Sequence, residues 1–302
     1  MGKYNHTVTE EEYGQTINQI LRDNFNFSAR FKTKIKFQNL MDLNGVPAKG
    51  FMKPEVGDLI SIRLPEESSD FPAEDIPLDV LYEDDDLLVI NKQPGIIVHP
   101  TKGHPTHTIA NGIMKYMEDT NQKFKIRFAN RIDMDTSGIV ICAKNANAQD
   151  SISNQMKAQS TVKKYIAVVH GVISEDCTIE EPVGRPDEVS IRRCVMEEGK
   201  PATTLVHVLN NYDNYTLLEL TIKTGRTHQI RVHLSHIGHP IIGDALYEGE
   251  APGLMDRQAL HAYHIEFDHP MTGERMIIDA PYPEDIEHAL SLIASHQDKQ
   301  TV

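Results

Sequence analysis

Asn130-Arg131-Ile132-Asp133-Met134-Asp135-Thr136-Ser137-Gly138, followed at once by Ile139-Val140-Ile141-Cys142-Ala143, is the stretch that decides how this chain is read. The second segment is a short apolar run rich in β-branched residues, as in a strand buried on both faces. The first is a polar, turn-forming loop that delivers a carboxylate, Asp133, to the start of that strand, two residues after Arg131. A carboxylate held at the end of a stiff element keeps its aim, which chemistry requires. Read alone, the same residues also describe an ordinary solvated turn.

Outward from this segment, Leu87-Leu88-Val89-Ile90 reads as a buried strand and Lys92-Gln93-Pro94-Gly95 as a turn. A helix is expected over Ala146–Lys157, and strands over 165–169 and Tyr215–Ile222. Residues 264–267 and Arg275–Asp279 flank the turn His269-Pro270-Met271-Thr272-Gly273 as a hairpin. Thr227 is expected to cap a helix running to Ile237, with Ile230, Leu234 and Ile237 on its buried face. Neighbouring strands broken by scattered helices predict an α+β domain over 80–290, a mixed, largely antiparallel sheet flanked by helices, followed by a polar tail, 291–302.

Residues 1–65 read as a separate small domain. Ile17, Ile20, Leu21 and Phe25 recur at helical spacing. Arg30, Lys32, Lys34 and Lys36 alternate with Phe31, Thr33, Ile35 and Phe37, as one basic face of a strand or as a frayed helix. Asn44-Gly45 marks a tight hairpin turn, and 59–64 a closing strand. Residues 66–79 hold Pro72 and Pro77, lack apolar periodicity, and read as an extended, self-repelling acidic linker.

The chain has 302 residues and a net charge of −14, which at first sight argues against a nucleic-acid partner. The charge is uneven. Ten acidic residues and no Lys or Arg lie between Glu66 and Asp86, leaving −4 for the rest, whereas residues 30–53 carry a net +5. Local field governs phosphate binding, so a polyanion stays admissible. No apolar run is long enough to span a bilayer, and the polar first residues carry no secretory signal. Three cysteines without metal-like spacing fit a reducing, cytoplasmic setting. His228, His233, His236 and His239 lack the helical metal-binding pattern, so no metal is expected.

A catalytic aspartate in a closed pocket needs a cation beside it, because burial alone raises a carboxyl's pKa and spoils a nucleophile. Lys223-Thr224-Gly225-Arg226-Thr227-His228-Gln229-Ile230-Arg231 follows a strand, turns at Gly225 and opens a helix, whose N-terminus adds positive potential.

These two segments together resemble the signatures of the RluA/RluD-type RNA pseudouridine synthases, His-Arg-Leu-Asp followed by Thr-Ser-Gly, and Thr-Gly-Arg-Thr-His-Gln-Ile-Arg. The resemblance covers about 80–283 and departs at two places. Ile132 stands for Leu, a volume-conserving swap. Asn130 stands for His, and since Asn does not titrate near neutrality it is expected to orient and not to move protons. The resemblance implies that Asp133 is the catalytic carboxylate, as nucleophile or as general base, that Arg226 pairs with it, and that Tyr165 in Lys163-Lys164-Tyr165-Ile166-Ala167 lies against the target base. It implies that Arg131 helps hold RNA with the target uridine flipped out, and that Asn130, Lys92, His99, Thr227 and Arg231 line the substrate cleft. Isomerisation of uridine consumes nothing, so no cofactor is implied.

The first 65 residues resemble a small alpha-L RNA-binding domain shared with a small-subunit ribosomal protein. By that likeness Arg30, Lys32, Lys34 and Lys36 would contact RNA, with ribosomal RNA favoured over transfer RNA, in a monomeric protein. Two other readings stand beside this one. A glycoside hydrolase would use Asp133 and Asp135 as its carboxylate pair; a non-catalytic RNA-binding or ribosome-assembly factor would keep the fold without the chemistry.

Overall fold

The computed structural model describes residues 4–65 and 67–300, the last four of these through their backbone only. The first 62 residues build strand β1 (Tyr4–Thr7), helices α1 (Ile17–Asn24) and α2 (Ala29–Phe37), and strands β2 (Met41–Leu43), β3 (Val46–Pro47) and β4 (Leu59–Ile62). The strands form one antiparallel sheet in the order β1-β4-β2-β3. Ile17, Ile20 and Leu21 of α1 and Phe31 and Ile35 of α2 pack with Ile60 and Ile62 in a single core. Thr16 and Ser28 cap the two helices by accepting from the backbone N–H groups of Gln19 and Phe31, which satisfies donors the helix itself cannot. At the β2–β3 turn Asn44 and Gly45 have φ of 51° and 81°, the paired positive values that an Asn-Gly hairpin supplies cheaply.

The basic segment is therefore helical. Its alternating cations do not share a face, because helical side chains recur every three to four residues. Arg30 and Lys34 line a groove beside the large domain, Arg30 with its side chain still 87 % exposed, whereas Lys32 and Lys36 lie outside it.

The acidic stretch that follows is irregular but not free. Ile76 is buried, Ser69 Oγ accepts from Ile126 N at 2.9 Å, and Pro72 O accepts from the Asn111 amide at 2.8 Å. The two parts also meet where Tyr4 Oη donates to Asp86, where the Asn145 amide donates to the same carboxylate, and where Ser28 N donates to Asn147.

The larger part contains β5 (Asp79–Glu83), β6 (Leu87–Lys92), α3 (Ile109–Asp119), β7 (Arg127–Phe128), β8 (Ser137–Ala143), α4 (Ala146–Lys157), β9 (Val162–His170), β10 (Cys177–Ile179), β11 (Val183–Gly184), β12 (Cys194–Val195), β13 (Thr204–Asn211), β14 (Tyr215–Ile222), α5 (Gln229–His236), β15 (Leu260–Asp268), β16 (Arg275–Asp279) and α6 (Glu284–Gln300). One ten-stranded sheet runs β10-β13-β14-β9-β15-β8-β6-β5, with β16 beside β15 and β7 beside β8. Every pairing in it is antiparallel except β15 with β8, where His261 and Ala262 lie opposite Ser137 and Gly138. The fold is thus α+β with a mixed, largely antiparallel sheet.

Helix α3 packs on one face of β6 and β8, and α4 on the other. Helices α5 and α6 cover the β9, β13 and β14 half. The polar tail expected from residue 291 is the continuation of α6: Ile286, Ala289 and Ile293 recur at helical spacing and are buried. Among the described residues no helix is long and apolar enough to cross a membrane.

Candidate active site

The loop that carries Asp133 is anchored on both flanks. Upstream, β7 pairs with β8 through Arg127 and Phe128, and Ala129 N donates to Ile141 O at 2.8 Å. The Asn130 side chain then takes over from the backbone: its amide donates to Ile139 O at 2.9 Å and accepts from Ile141 N at 2.8 Å. A flat amide with donor and acceptor side by side imitates one more peptide in the ladder. Both polar atoms of Asn130 thereby bond β8, which positions the loop.

Downstream, two buried cations grip the loop's carbonyls. Lys92, wholly buried at the end of β6, donates from Nζ to Met134 O at 2.7 Å, Gln93 O at 2.8 Å and Ile96 O at 2.9 Å. Arg257 Nη1 donates to Asp135 O at 2.9 Å. Lys92 is a tie between two loops and not a cleft residue; its three donors are already used. Asp135 faces a different cavity from Asp133, beside Arg257, which removes the geometry a carboxylate-pair hydrolase would need.

Between these anchors Asp133 projects, 26 % exposed, into a cavity of about 460 Å³. Its cation is Arg231. Nη1 donates to Asp133 Oδ2 at 3.2 Å, while Nε and Nη2 form a two-pronged pair with the buried Asp244 at 2.7 and 2.8 Å. The guanidinium also lies over the Tyr247 ring, 5.0 Å from its centroid. Arg226 does not pair with Asp133, contrary to expectation: its Nε donates to Pro201 O at 3.0 Å, and it lines the same cavity. The helical turn explains the exchange. Arg231 lies inside α5 and points across it to the Asp133 loop, whereas Arg226 precedes the helix and is held back at β13's approach.

Thr227 does not cap α5 either. His228 is the residue before the helix, in the left-handed conformation at φ 58°. Gln229 folds back over the turn, with Oε1 accepting from Arg226 N at 3.0 Å and from Thr224 Oγ1 at 2.7 Å. Thr227 Oγ1 instead accepts from Arg131 Nη2 at 3.2 Å, linking the two motifs at the cavity mouth. Ile230 and Leu234 are buried as expected; Ile237 ends the helix and is exposed.

His228 stands beside the carboxylate without bonding it. Its Nδ1 lies 2.9 Å from the Tyr247 hydroxyl, which also accepts from Arg193 N at 2.8 Å, and its Nε2 lies 3.9 Å from Asp133 Oδ2, beyond hydrogen-bond reach. Burial, reinforced by Arg231, pulls the His228 pKa down against the opposing charge of Asp133, which favours the neutral imidazole. Asp244 and Tyr247 escaped sequence reading; a buried acid and an aromatic in Gly243-Asp244-Ala245-Leu246-Tyr247 carry no spacing that marks them.

Tyr165 enters the cavity wall from β9 and is 8 % exposed. Burial, and then the charge of Asp133, push its phenol well above the ordinary tyrosine value, so the free protein keeps it protonated. Arg131 and His99 are exposed at the mouth, where His99 meets Phe71 and Phe128 edge-on. Two of the remaining histidines are engaged elsewhere: His233 with Thr204 and Glu181, His239 with the backbone of His170.

Residues 86–236 match the family model described as RNA pseudouridylate synthase. The Bacillus subtilis (strain 168) RNA pseudouridine synthase YlyB is 40 % identical over 293 residues, 95 % of this chain and 96 % of that one. Ribosomal large subunit pseudouridine synthase D of Haemophilus influenzae is 34 % identical over 314 residues, 97 % and 96 % of the two chains. Among solved structures, human RNA pseudouridylate synthase domain containing 1 superposes with a TM-score of 0.59 at 26 % identity, over 75 % of this chain and 97 % of that one. Motifs, sheet and likeness along nearly the whole length agree: the chain belongs to the RNA pseudouridine synthase family.

Proposed function

We propose that Asp133 is the catalytic carboxylate of a uridine isomerisation in large-subunit ribosomal RNA. The reaction exchanges the N1–C1′ glycosidic bond for a C5–C1′ bond; the C5 hydrogen leaves and N1 gains a proton. The observation that carries the reading is the fixed triad Asp133–Arg231–Asp244: a part-exposed carboxylate, its cation immobilised by a second, buried carboxylate. An aspartate so held is already aimed when substrate arrives, so no reorganisation is needed at the moment of reaction.

The cavity has room for one extruded nucleoside and not for a stacked duplex, which fits chemistry on a flipped base. Tyr165 lies in its wall to contact the uracil, and Arg131 stands at the mouth to fill the place the base leaves. Whether Asp133 attacks the ribose or removes a proton from it, the carboxylate must be ionised, and Arg231 serves both courses. Ribosomal RNA as substrate rests on the relatives named for the large subunit. Arg30 and Lys34 supply the basic N-terminal contact to that RNA, in a reducing cytoplasm suited to the three free cysteines.

The test is tritium release from RNA bearing 5-tritiated uridine. Wild type is expected to release it, and Asp133→Ala to stop the release while melting like wild type. Full activity in Asp133→Ala overturns the assignment; RNA binding without release by wild type favours the non-catalytic factor.

A further inference from the structure

A groove of about 1000 Å³ runs beside helix α2 and joins the Asp133 cavity, the two sharing Val98, His99 and Arg131. Its cations come from both parts of the chain: Arg30 and Lys34 from α2, Lys125, Arg127 and Arg131 from the large domain. Two carboxylates lie among them: Asp150, 3.8 Å from Arg30 Nη1, and Glu67 of the acidic stretch, which bridges Lys34 and Arg127. Lys34 Nζ donates to Oε1 at 3.3 Å, and Arg127 Nη2 donates to Oε2. Burial pushes the Glu67 carboxyl up, but Arg127 and Lys34 outweigh that and hold it below the ordinary carboxylate range.

The arginine is pre-set. Its Nη1 donates to Lys125 O at 2.9 Å, its side chain is only 8 % exposed, and Glu67 lies on the other terminal nitrogen. Glu67 itself is 30 % exposed, and the linker two residues on is tied by the Ser69–Ile126 bond. The carboxylate therefore has solvent to swing into while its backbone stays in place. Two acceptor oxygens on one anion, held between a lysine and an arginine, present what a phosphodiester's two non-bridging oxygens would present.

We propose that Glu67 is an internal stand-in for an RNA backbone phosphate, keeping the Lys34–Arg127 subsite filled until a strand entering the Asp133 cavity displaces it. This rests on RNA being the substrate. It gives a local reason for an acidic linker that packs back beside a basic helix: the anion occupies a cationic subsite and sheds unspecific anions, at the expense of affinity. It also makes the exchange nearly silent in salt, because the incoming phosphate replaces a charge already neutralised and releases few counterions.

The experiment measures binding of a fluorescently labelled single-stranded, uridine-containing RNA by anisotropy over a KCl series, with the full chain as wild type, Glu67→Gln, Lys34→Gln and the Lys34→Gln/Glu67→Gln double variant. Glu67→Gln is expected to bind roughly tenfold tighter at low salt, with a salt slope steeper by roughly 0.7 for the one phosphate gained. The double variant is expected to lose both gains. Equal or weaker binding by Glu67→Gln overturns the proposal, as does a gain that survives in the double variant, which would be a general charge effect. Should Glu67→Gln melt below the assay temperature, Lys34→Gln decides: weakened binding supports the subsite, unchanged binding overturns it. A wild type that neither binds this RNA nor converts its uridines overturns the functional reading beneath, whereas a converting wild type with an indifferent Glu67→Gln overturns the stand-in alone.

Discussion

Arg231 reaches Asp133 with the one terminal nitrogen that its two-pronged pair with Asp244 leaves over, so a buried carboxylate sets the position of the part-exposed one that lines the cavity. A single ammonium cannot reproduce this fork. Arg231→Lys is expected to lower turnover by about 100-fold, the loss seen when a preorganised charge is removed from a reacting group. Arg231→Met strands Asp244, 1 % exposed, and is expected to cost about 3–5 kcal/mol in urea unfolding. Arg231→Lys with wild-type turnover would dismiss the triad.

Lys92 gives a pH signature. Burial lowers its pKa from 10.5 to about 7, with Arg257 adding to the effect and Asp135 and Asp133 opposing it. In that interval the unfolded chain holds the proton and the folded chain releases it. Unfolding free energy therefore rises as pH climbs from about 7, by at most ~1.4 kcal/mol per pH unit from this group. Lys92→Met removes the slope but leaves the carbonyls of Gln93, Ile96 and Met134 without their donor, at about 1–3 kcal/mol for each that stays dry. Chemical denaturation at a series of pH values checks both; a Met variant with the wild-type slope refutes the assignment.

Tyr165 is raised by burial and by Asp133, and Tyr4 is raised by burial and by Asp86. Both are acids that the folded state keeps neutral. The stability they contribute is complete below the unfolded value near ~10 and is lost progressively as pH rises from there through the higher folded values. Thermal melting should therefore fall steeply above that pH, and Tyr4→Phe should flatten the fall while leaving tritium release at neutral pH unchanged. For Tyr165→Phe, loss is expected in turnover more than in RNA affinity, because the ring surface remains to contact the base. An unchanged turnover would reduce Tyr165 to packing.

Sequence period told most of the elements: α4 and β14 have their expected bounds, and the strand at Ile139 and the hairpin after residue 264 follow from apolar runs and turn residues alone. What stayed hidden depends on contacts between distant segments. Residues 29–37 alternate charge like a strand, yet Phe31 and Ile35 face a core that only a helix can fill. Which arginine meets Asp133 depends on how α5 lies across the Asp133 loop, a tertiary fact, and the left-handed backbone at His228 moves the helix start past Thr227. Asp244 and Tyr247 act through a turn that no local pattern announces.

Asn130 is legible as a non-titrating residue, and its two bonds to β8 give the reason it serves. Asn130→Ala removes a donor and an acceptor from the ladder, leaving Ile139 O and Ile141 N without their partner, and is expected to cost about 1–3 kcal/mol for each that stays dry. Asn130→Asp keeps the bond from Ile141 N but sets a carboxylate oxygen against the Ile139 carbonyl, and should cost more. Because the position holds no proton to transfer, the pH profile of tritium release in Asn130→Ala should keep its shape while its height falls. A lost or displaced limb would show that position 130 takes part in proton transfer after all.

Gly138 tests whether the sheet itself aims Asp133. Its φ is 113°, and a Cβ there would lie 2.2 Å from the carbonyl oxygen of Ala262, in the single parallel pairing of the sheet. Neither the angle nor the gap admits a methyl group. Gly138→Ala must push β15 from β8 at the point where the Asp133 loop enters the strand, five residues after the carboxylate. Misplacing a reacting group by about 1 Å costs on the order of 100-fold in rate, and the strain should cost several kcal/mol besides. The two effects separate by temperature: in a variant still folded in the cold, tritium release should be depressed well below the loss of folded fraction, whereas a loss that tracks the folded fraction would mean the strand pair stabilises without aiming.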